Sequence, residues 1–251
     1  MNKREEVLSS FRELKLKAFA ENYERIACGN KSVDEVLAEL CLLETERRYS
    51  TKVKSRIKQA GFPKVKTLAM LDYALTPMLP KQTVDTLATC KFVEKKENVI
   101  LVGDSGGGKT HLAIALGIEA CKKLHPVKFF TVCQLANLLT KEHDLGDIDR
   151  FMARLKRYSV IIIDEIGYVT TISKKGAELL FQVFSDRYEA GSLIITSNLV
   201  FNKWTEVFLD KTMTTALLDR LTHHATIIKY DWGSVRFNQA KDTKTESKKP
   251  G

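Results

Sequence analysis

A glycine-rich run has the residue types and spacing that hold the phosphate groups of a nucleotide. It fits the pattern GxxxxGK[ST], in which a short loop joins a buried strand to the start of a helix. The loop and the residue after it comprise Gly103, Asp104, Ser105, Gly106, Gly107, Gly108, Lys109, Thr110 and His111. The glycines allow a tight turn that aims backbone N–H groups at phosphate oxygens, beside the positive end of the helix dipole. We expect Lys109 to contact the β- and γ-phosphates and Thr110 to bind Mg²⁺, which predicts a site for ATP with Mg²⁺.

Two acids follow a second apolar run and add the groups needed to hydrolyse a nucleotide. Residues 160–163 are apolar throughout, and Asp164 and Glu165 stand at the carboxyl end of this run, where α/β sheets bind ligands. We expect Asp164 to hold Mg²⁺, directly or through water, and Glu165 to orient and deprotonate the attacking water. An acid pair after an apolar strand is common, but downstream of a complete phosphate loop it predicts catalysis.

Two further polar residues extend the candidate catalytic set. Asn198 ends a third apolar run and could hydrogen-bond the γ-phosphate or the attacking water, a sensor-1 role; the alternative is a simple turn residue. Arg220 precedes the last apolar run. In an oligomer, such an arginine can reach a neighbour's site and neutralise transition-state charge. The alternative for Arg220 is a salt bridge with Asp219 or Asp186.

The elements that position these residues alternate between strands and helices from residue 68 onward. The strands are expected at 98–102, 127–132, 160–163, 193–196 and 225–229, and the helices at 111–124, 134–143, 147–157 and 174–190. This alternation predicts the α/β class, with a parallel five-stranded sheet and helices on both faces. Residues 1–66 show helical patterns alone, with a Ser32/Glu35 capping box before a long helix that stops at Gly61.

The chain is therefore expected to have three parts. Residues 1–66 form a small all-helical domain that binds DNA or a partner, 67–238 form the ATPase domain, and 239–251 form a charged, disordered tail. The net charge of +9 favours an anionic partner, nucleic acid before an acidic membrane surface. No apolar run approaches the roughly 18–20 residues that span a bilayer. We therefore expect no membrane partner. The five scattered cysteines lack a CxxC pair, so we expect free thiols in a cytoplasmic protein and no structural zinc.

Several short motifs stand in a particular order along the chain. They are Gly-Lys-Thr-His-Leu-Ala at 108–113, Ile-Ile-Asp-Glu at 162–165, Asp-Arg-Tyr-Glu at 186–189, Ile-Ile-Thr-Ser-Asn at 194–198 and Leu-Asp-Arg-Leu at 218–221, with Glu-Thr-Glu-Arg-Arg at 44–48 and Gly-Ser-Val-Arg at 233–236. Together these motifs resemble those of the IstB/DnaC group of initiator-type AAA+ ATPases, and the resemblance covers nearly the whole chain. It is nearer to the IstB branch, the ATP-binding helpers encoded beside the transposase of certain insertion sequences.

This resemblance implies an AAA+ domain without the C-terminal helical lid of most AAA+ proteins. It also implies a Mg²⁺-dependent ATPase that forms a homo-oligomer on double-stranded DNA, bends it, and recruits or stimulates the transposase of the same insertion sequence. We expect ATP binding to promote assembly and hydrolysis to release it. The resemblance places Tyr73 near the adenine, with core packing as the alternative. The usual family loop reads Gly-Pro-Pro-Gly-Thr-Gly-Lys. Asp104 and Gly107 depart from this pattern and could alter the rate of hydrolysis or the stiffness of the loop.

Two basic segments are candidate DNA contacts. In the helix at 147–157, Arg150, Arg154 and Arg157 share one face at i, i+4 and i+7. Relatives of the initiator type carry extra helical structure there that faces a central channel. The second segment has no acid, and its cations are Arg47, Arg48, Lys52, Lys54, Arg56, Lys58, Lys64 and Lys66. Both segments could bind DNA phosphates, and for both the alternative is a solvated helix face.

Three other functions stay open from the sequence. A DnaC-like loader, which places a replicative helicase on single strands, shares the ATPase core and differs in its N-terminal partner. A nucleotide-gated scaffold that scarcely turns over ATP would not need Glu165, Asn198 and Arg220. A P-loop kinase is disfavoured by Glu165 and by the absent lid. The basic segment near the N-terminus favours DNA there, and therefore the transposition helper.

Overall fold

The computed structural model describes residues 2–28, 31–76, 78–167, 172–208 and 210–230. The chain divides into two compact units, Met1–Ser55 and Arg56–Gly251. The domain boundary expected at residue 66 stays a prediction. The tail expected at 239–251 and the motif at 233–236 lie outside the described residues.

The first unit is helical. Its elements are α1 (Lys3–Glu13), α2 (Lys17–Ala27) and α3 (Val33–Ala60), the last of which continues past residue 55. Apolar spacing is helical from residue 7 to 27, yet the helix breaks before α2, where Lys15 has a φ of 58°. The predicted capping box is confirmed. Ser32 N–H donates to the Glu35 carboxylate at 2.7 Å, and Glu35 N–H donates to the Ser32 hydroxyl at 3.3 Å.

The second unit alternates helices and strands, as its apolar runs predict. The strands are β1 (Asn98–Gly103), β2 (Val127–Thr131), β3 (Val160–Ile166), β4 (Ser192–Ser197) and β5 (Ala225–Tyr230). The helices are α4 (Lys81–Ala88), α5 (Lys91–Glu94), α6 (Lys109–Lys122), α7 (Val132–Asp144), α8 (Ile148–Lys156), α9 (Lys174–Arg187), α10 (Thr205–Phe208) and α11 (Lys211–His223). Short 3-10 helices lie at Leu68–Met70 and Phe201–Lys203.

The described strands form one parallel sheet in the order β2-β3-β4-β1-β5. Successive residues of a strand point to opposite faces, and in β1 both faces are buried. Val99 and Leu101 join the apolar cluster that includes α6, whereas Ile100 and Val102 join the cluster that includes α7, α9 and α11. The expected α/β class, with helices on both faces of a parallel five-stranded sheet, is confirmed.

Strand order brings the candidate site residues together. β4 lies between β3 and β1, and in a parallel sheet the carboxyl ends of neighbouring strands share one edge. The glycine loop follows β1, the two acids lie near the end of β3, and Asn198 follows β4. Residues distant in the sequence therefore meet at a single edge of the sheet.

Candidate nucleotide-binding site

The glycine loop between β1 and α6 has the tight conformation that its sequence predicts. Gly106 and Gly108 have φ values of 87° and 99°, which a residue with a Cβ adopts only with strain. Lys109 is only 7% exposed. Its Nζ donates to the carbonyl oxygens of Gly103 at 2.6 Å and Asp104 at 2.7 Å. The loop thus holds its lysine inside the phosphate-binding turn.

Tyr230, the last residue of β5, packs against the glycine loop. A Cβ at Gly103 would lie 2.2 Å from the Tyr230 carbonyl oxygen, and one at Gly107 would lie 3.3 Å from Tyr230 Cδ1. Lys109 Nζ lies 5.9 Å from the centre of the tyrosine ring. Burial raises the pKa of Tyr230 above its usual value. The sequence alone does not mark Tyr230, because only the fold brings β5 beneath the loop.

The two predicted Mg²⁺ ligands lie in contact. Thr110 Oγ1 donates to Asp164 Oδ1 at 2.9 Å, although the residues are 54 positions apart in the chain. Thr196, on β4, also donates to Asp164 Oδ1, at 2.5 Å. Asp164 is 3% exposed, so its carboxylate is directed by these hydroxyl groups. A hydroxyl beside a carboxylate is a pair of hard oxygen ligands of the type that Mg²⁺ takes.

Glu165 sits at an irregularity in the sheet. The β3–β4 register pairs Ile163 with Ile195 and resumes with Ile166 opposite Ser197, so the acids fall in a bulge. Glu165 has a φ of 67° and an exposed side chain. This bulge turns Glu165 toward the cavity, while Asp164 stays buried beside it.

Asn198 presents a buried side-chain oxygen at the same edge. Its Oδ1 has no hydrogen-bond partner among the described residues. A Cβ at Gly167 would lie 2.1 Å from this oxygen and 2.6 Å from Leu199 Cγ, so the packing of these two side chains against Gly167 requires glycine there. Buried acceptors are nearly always paired, so this oxygen is an exception at the edge of the sheet that carries the acids.

These groups surround a cavity of about 530 Å³. Its lining residues are Pro63, Lys64, Lys66, Met70, Leu71, Asp72, Leu75, Thr76, Ser105, Gly106, Gly108, Lys109, Thr110, His111, Ile114, Glu165, Thr196 and Asn198. One wall holds most of the glycine loop together with Glu165 and Asn198. The other is the segment 63–76, which we call the connector. The cavity offers phosphate-binding groups at one side and apolar surface at the other, as a nucleotide requires.

The connector supplies residues that were not predicted to bind nucleotide. Lys64 and Lys66 line the cavity, although the sequence places them in the candidate DNA segment. His111 Nε2 lies 3.0 Å from the Thr67 carbonyl oxygen, which ties the start of α6 to the connector. No local motif identifies these lysines, because only the folded chain brings the connector next to the glycine loop.

Tyr73 lies in the connector, but its ring packs against the core. It is half-buried against the apolar cluster that includes α6, and Lys81 Nζ lies 5.9 Å from its ring centre. Burial, with a smaller effect of Asp85, raises the pKa of Tyr73. Its neighbours Leu71 and Asp72 line the cavity, while Tyr73 is not among the described lining residues. This placement agrees with the core-packing alternative; the adenine contact stays a prediction.

Arg220 is exposed on α11 and lies outside the lining of the cavity as described. Its Nη1 donates to Ser185 Oγ at 2.8 Å. Asp186, a partner considered from the sequence, instead pairs with Lys156 at 2.9 Å. The role of Arg220 in a neighbour's site stays a prediction.

The candidate DNA helix, α8, has the expected two faces. Phe151 and Leu155 are buried in the apolar cluster that includes α7 and α9. Arg150, Arg154 and Arg157 are exposed. Arg154 lies 3.4 Å from the Glu142 carboxylate and 5.1 Å from the Phe151 ring centre, so its charge already has partners.

The residues of the second basic segment lie in different environments. Arg47 pairs with Glu21 at 3.9 Å, and Arg48 pairs with Glu44 at 2.7 Å. The segment itself lacks acids, but other parts of the first unit supply them. Lys52 is exposed and Arg56 half-exposed. Within the described residues, no helix is long and apolar enough to cross a membrane.

Comparison with known sequences identifies the family. A sequence model described as IstB-like ATP binding protein matches residues 10–243. The chain belongs to this family. An ATP-binding protein of insertion sequence IS21 from Pseudomonas aeruginosa is 41% identical over 196 residues, which cover 78% of this chain and 74% of that protein. The IS232 ATP-binding protein of Bacillus thuringiensis subsp. berliner is 33% identical over 231 residues, which cover 90% of this chain and 92% of that protein.

Solved structures share the fold of this IstB-like chain. AMPPCP-bound DnaA from Aquifex aeolicus aligns with a TM-score of 0.56 at 19% identity, over 74% of this chain. The chain spans only 56% of that DnaA structure. The DnaC helicase loader aligns with a TM-score of 0.51 at 22% identity, over 60% of this chain and 87% of the loader. At such identities the likeness shows the fold alone.

Proposed function

We propose that this IstB-like protein hydrolyses ATP with Mg²⁺, assembles as a homo-oligomer on double-stranded DNA, and acts with the transposase of its insertion sequence. The observation that carries the proposal is the meeting of the glycine loop, Glu165 and Asn198 around one cavity, with Asp164 in contact with Thr110. Membership of the family supports ATP as the nucleotide. The insertion-sequence relatives support the link to transposition.

The residues of the cavity fit ATP and Mg²⁺. Thr110 and Asp164 offer the adjacent oxygen ligands, and Mg²⁺ held there would offset the negative charge of the phosphates. Lys109 exchanges the carbonyl oxygens of Gly103 and Asp104 for phosphate oxygens. This exchange keeps the ammonium group hydrogen-bonded with or without nucleotide, so binding leaves no buried charge unpaired.

Hydrolysis needs a base and a group that orients water. Glu165 projects from the bulge of β3 toward the cavity and accepts the proton of the attacking water. Asn198 also lines the cavity, and its amide can hydrogen-bond the same water. The N–H groups of that amide are then available to a γ-phosphate oxygen. One asparagine thus links the water to the phosphate that it attacks.

Completion of the site requires a second copy of the chain. Arg220 is exposed and outside its own cavity. An arginine supplied by a neighbour stabilises the charge that develops during phosphoryl transfer, an effect of roughly 10³–10⁵ in rate. Turnover is then coupled to subunit contact, and hydrolysis releases the assembly.

DNA binding follows from the charge of the chain and its exposed cations. The net charge is +9, and Arg150 and Arg157 of α8 are exposed, as is Lys52 on α3. Phosphate contacts by such residues bind duplex without regard to sequence. They are suited to a protein that coats target DNA rather than one that reads bases.

ATP hydrolysis by wild type, Lys109→Ala and a matched control tests the proposal. Lys122→Ala is the control, because Lys122 lies on the same helix in an exposed pair with Glu119. Lys109→Ala should lose hydrolysis and Lys122→Ala should keep it. An equal mixture of the inactive variants Glu165→Gln and Arg220→Ala should recover about a quarter of the activity if Arg220 acts in the neighbour's site. Full activity in Lys109→Ala would contradict the ATPase assignment, and a mixture without recovery would contradict the role of Arg220.

A further inference from the structure

Thr196, near the end of β4, joins the two acids of the site with one hydroxyl group. Its Oγ1 donates to Asp164 Oδ1 at 2.5 Å and accepts from Glu165 N–H at 2.9 Å. The side chain is buried, with 2% of the residue exposed. One oxygen atom therefore contacts both the expected Mg²⁺ ligand and the backbone of the expected base.

The hydroxyl replaces a bond that the sheet cannot make. Ladder pairing between β3 and β4 stops at Ile163–Ile195 and resumes at Ile166–Ser197. In this gap the N–H of Glu165 is satisfied by a side chain. Buried backbone donors must find an acceptor, and Thr196 lies at the position of β4 that faces the gap. The bulge is thus stabilised by a residue of the neighbouring strand.

Glu165 also has a backbone conformation that requires support. Its φ of 67° is in the left-handed region, which is unfavourable for a residue with a Cβ and persists where surrounding contacts hold it. The hydrogen bond from Glu165 N–H to Thr196 fixes that peptide. Without it, the residue can relax toward ordinary strand geometry, and the carboxylate would turn away from the cavity.

We propose that Thr196 is a positioning residue that fixes the direction of Glu165 relative to Asp164. The proposal rests on the proposed function, since it assigns Glu165 as the base and Asp164 as the Mg²⁺ ligand. Thr196 acts through these two acids. Its loss should misdirect the base while the glycine loop, which binds the phosphates, stays intact. Loss of the Thr196 hydroxyl should therefore lower the rate of ATP hydrolysis and leave nucleotide affinity unchanged.

The test compares Thr196→Val, Thr196→Ser and a matched control, Thr214→Val. Valine keeps the shape of threonine and removes the hydroxyl, whereas serine keeps the hydroxyl. Thr214 of α11 is 1% exposed, and its hydroxyl donates at 2.6 Å to the carbonyl oxygen of Asp210, the residue that caps this helix. The control therefore removes an equally buried hydroxyl far from the acids in sequence. The measurements are kcat, KM, affinity for a fluorescent ATP analogue, and amide hydrogen exchange of the peptide that contains Glu165.

Thr196→Val should lower kcat about 10- to 100-fold, the effect of a catalytic group misplaced by about 1 Å. Its KM and analogue affinity should stay within about twofold, because Lys109 and the loop are unchanged. Exchange at Glu165 should be faster, and Thr196→Ser should restore both kcat and protection. Thr214→Val should change neither. This pattern would establish the positioning role.

Other results would overturn it. A Thr196→Val protein with the kcat of wild type, or with unchanged exchange at Glu165, contradicts the proposal. Equal losses in Thr196→Val and Thr196→Ser also contradict it, because they would follow from altered packing rather than from the hydroxyl. If wild type hydrolyses no ATP, the proposed function fails, and the exchange measurement alone still decides whether Thr196 holds the Glu165 peptide.

Discussion

Gly107 of the glycine loop packs against the ring of Tyr230 in β5, and the absence of a side chain at Gly107 leaves room for this ring. A Cβ at Gly107 would lie 3.3 Å from Tyr230 Cδ1, closer than most packed atoms approach. The usual family loop has threonine at this position, so the departure seen in the sequence has a steric reason. In this chain a larger residue at position 107 would require the Tyr230 ring to move.

Gly107→Thr should weaken nucleotide affinity about tenfold, because the tyrosine ring and the loop must separate to admit the new side chain. The loss should shrink in a Tyr230→Leu background, where the ring is absent. A double-mutant cycle on the affinity for a fluorescent ATP analogue measures the coupling. The same tenfold loss in both backgrounds would show that Tyr230 is not the cause.

Lys64 and Lys66 should act on nucleotide rather than on DNA. Their joint replacement by glutamine should weaken ATP affinity about threefold to tenfold, as expected for exposed charge contacts, and leave the salt dependence of duplex binding unchanged. Lys52 and Lys54, both exposed on α3, provide the matched double replacement. It should leave ATP affinity unchanged and lower the salt slope by about one for each lysine that binds a DNA phosphate. The reverse assignment of the two effects would contradict this division of the basic segment.

Arg157→Glu should weaken duplex binding and flatten its dependence on salt while nucleotide affinity is kept. Arg157 is exposed on the outer face near the end of α8, so its replacement leaves the buried face intact. Arg154→Glu should have the smaller effect, because Arg154 is already paired with Glu142. Titrations of labelled duplex at several salt concentrations measure both slopes. An unchanged slope in Arg157→Glu would remove α8 from the DNA surface.

Glu44 should make the stability of the first unit depend on pH. Burial alone would raise the pKa of this carboxyl, but hydrogen bonds from Arg48 and from Ala18 N–H, at 2.7 Å and 2.9 Å, outweigh burial and lower it. A pKa that is lower in the folded chain stabilises it above the unfolded value of about 4.3, and this contribution is lost as pH falls further. Glu44→Gln should lower the free energy of unfolding by about 1–3 kcal/mol at pH 7.

Urea unfolding of wild type and Glu44→Gln from pH 3 to pH 7 measures that effect. The difference between the two proteins should narrow toward pH 3. Glu46→Gln is the control, because Glu46 is an exposed neighbour on the same helix. A difference that stays constant with pH would show that the charge of Glu44 contributes nothing.

The fold and the phosphate half of the site could be predicted because their signals are local. Continuous apolar runs identify strands buried on both faces, such as 160–163, and the glycine loop carries its geometry in its own residues. The apolar pattern predicts that β3 ends at residue 163, but the strand continues to Ile166. The bulge accommodates the two acids within the strand. A bulge held by a threonine of another strand has no local signature.

Residues that act through tertiary contact could not be predicted. Thr196 and Tyr230 look like ordinary strand residues, and only the order β3-β4-β1-β5 brings them to the acids and the loop. Arg47 and Arg48 belong to a segment without acids, so their partners had to come from elsewhere. Glu21 and Glu44 supply them. In each case the missing information was the identity of the neighbour.

The most direct test of the central claim is particle mass on duplex DNA with ATP, with ADP and without nucleotide, for wild type and Glu165→Gln. We predict that ATP produces large DNA-bound oligomers of wild type, and that Glu165→Gln, which binds ATP without hydrolysing it, accumulates them. ADP and the nucleotide-free protein should give small particles. Wild type that stays small on duplex with ATP, and assembles only on single strands or with a replicative helicase, would contradict the account and identify a helicase loader instead.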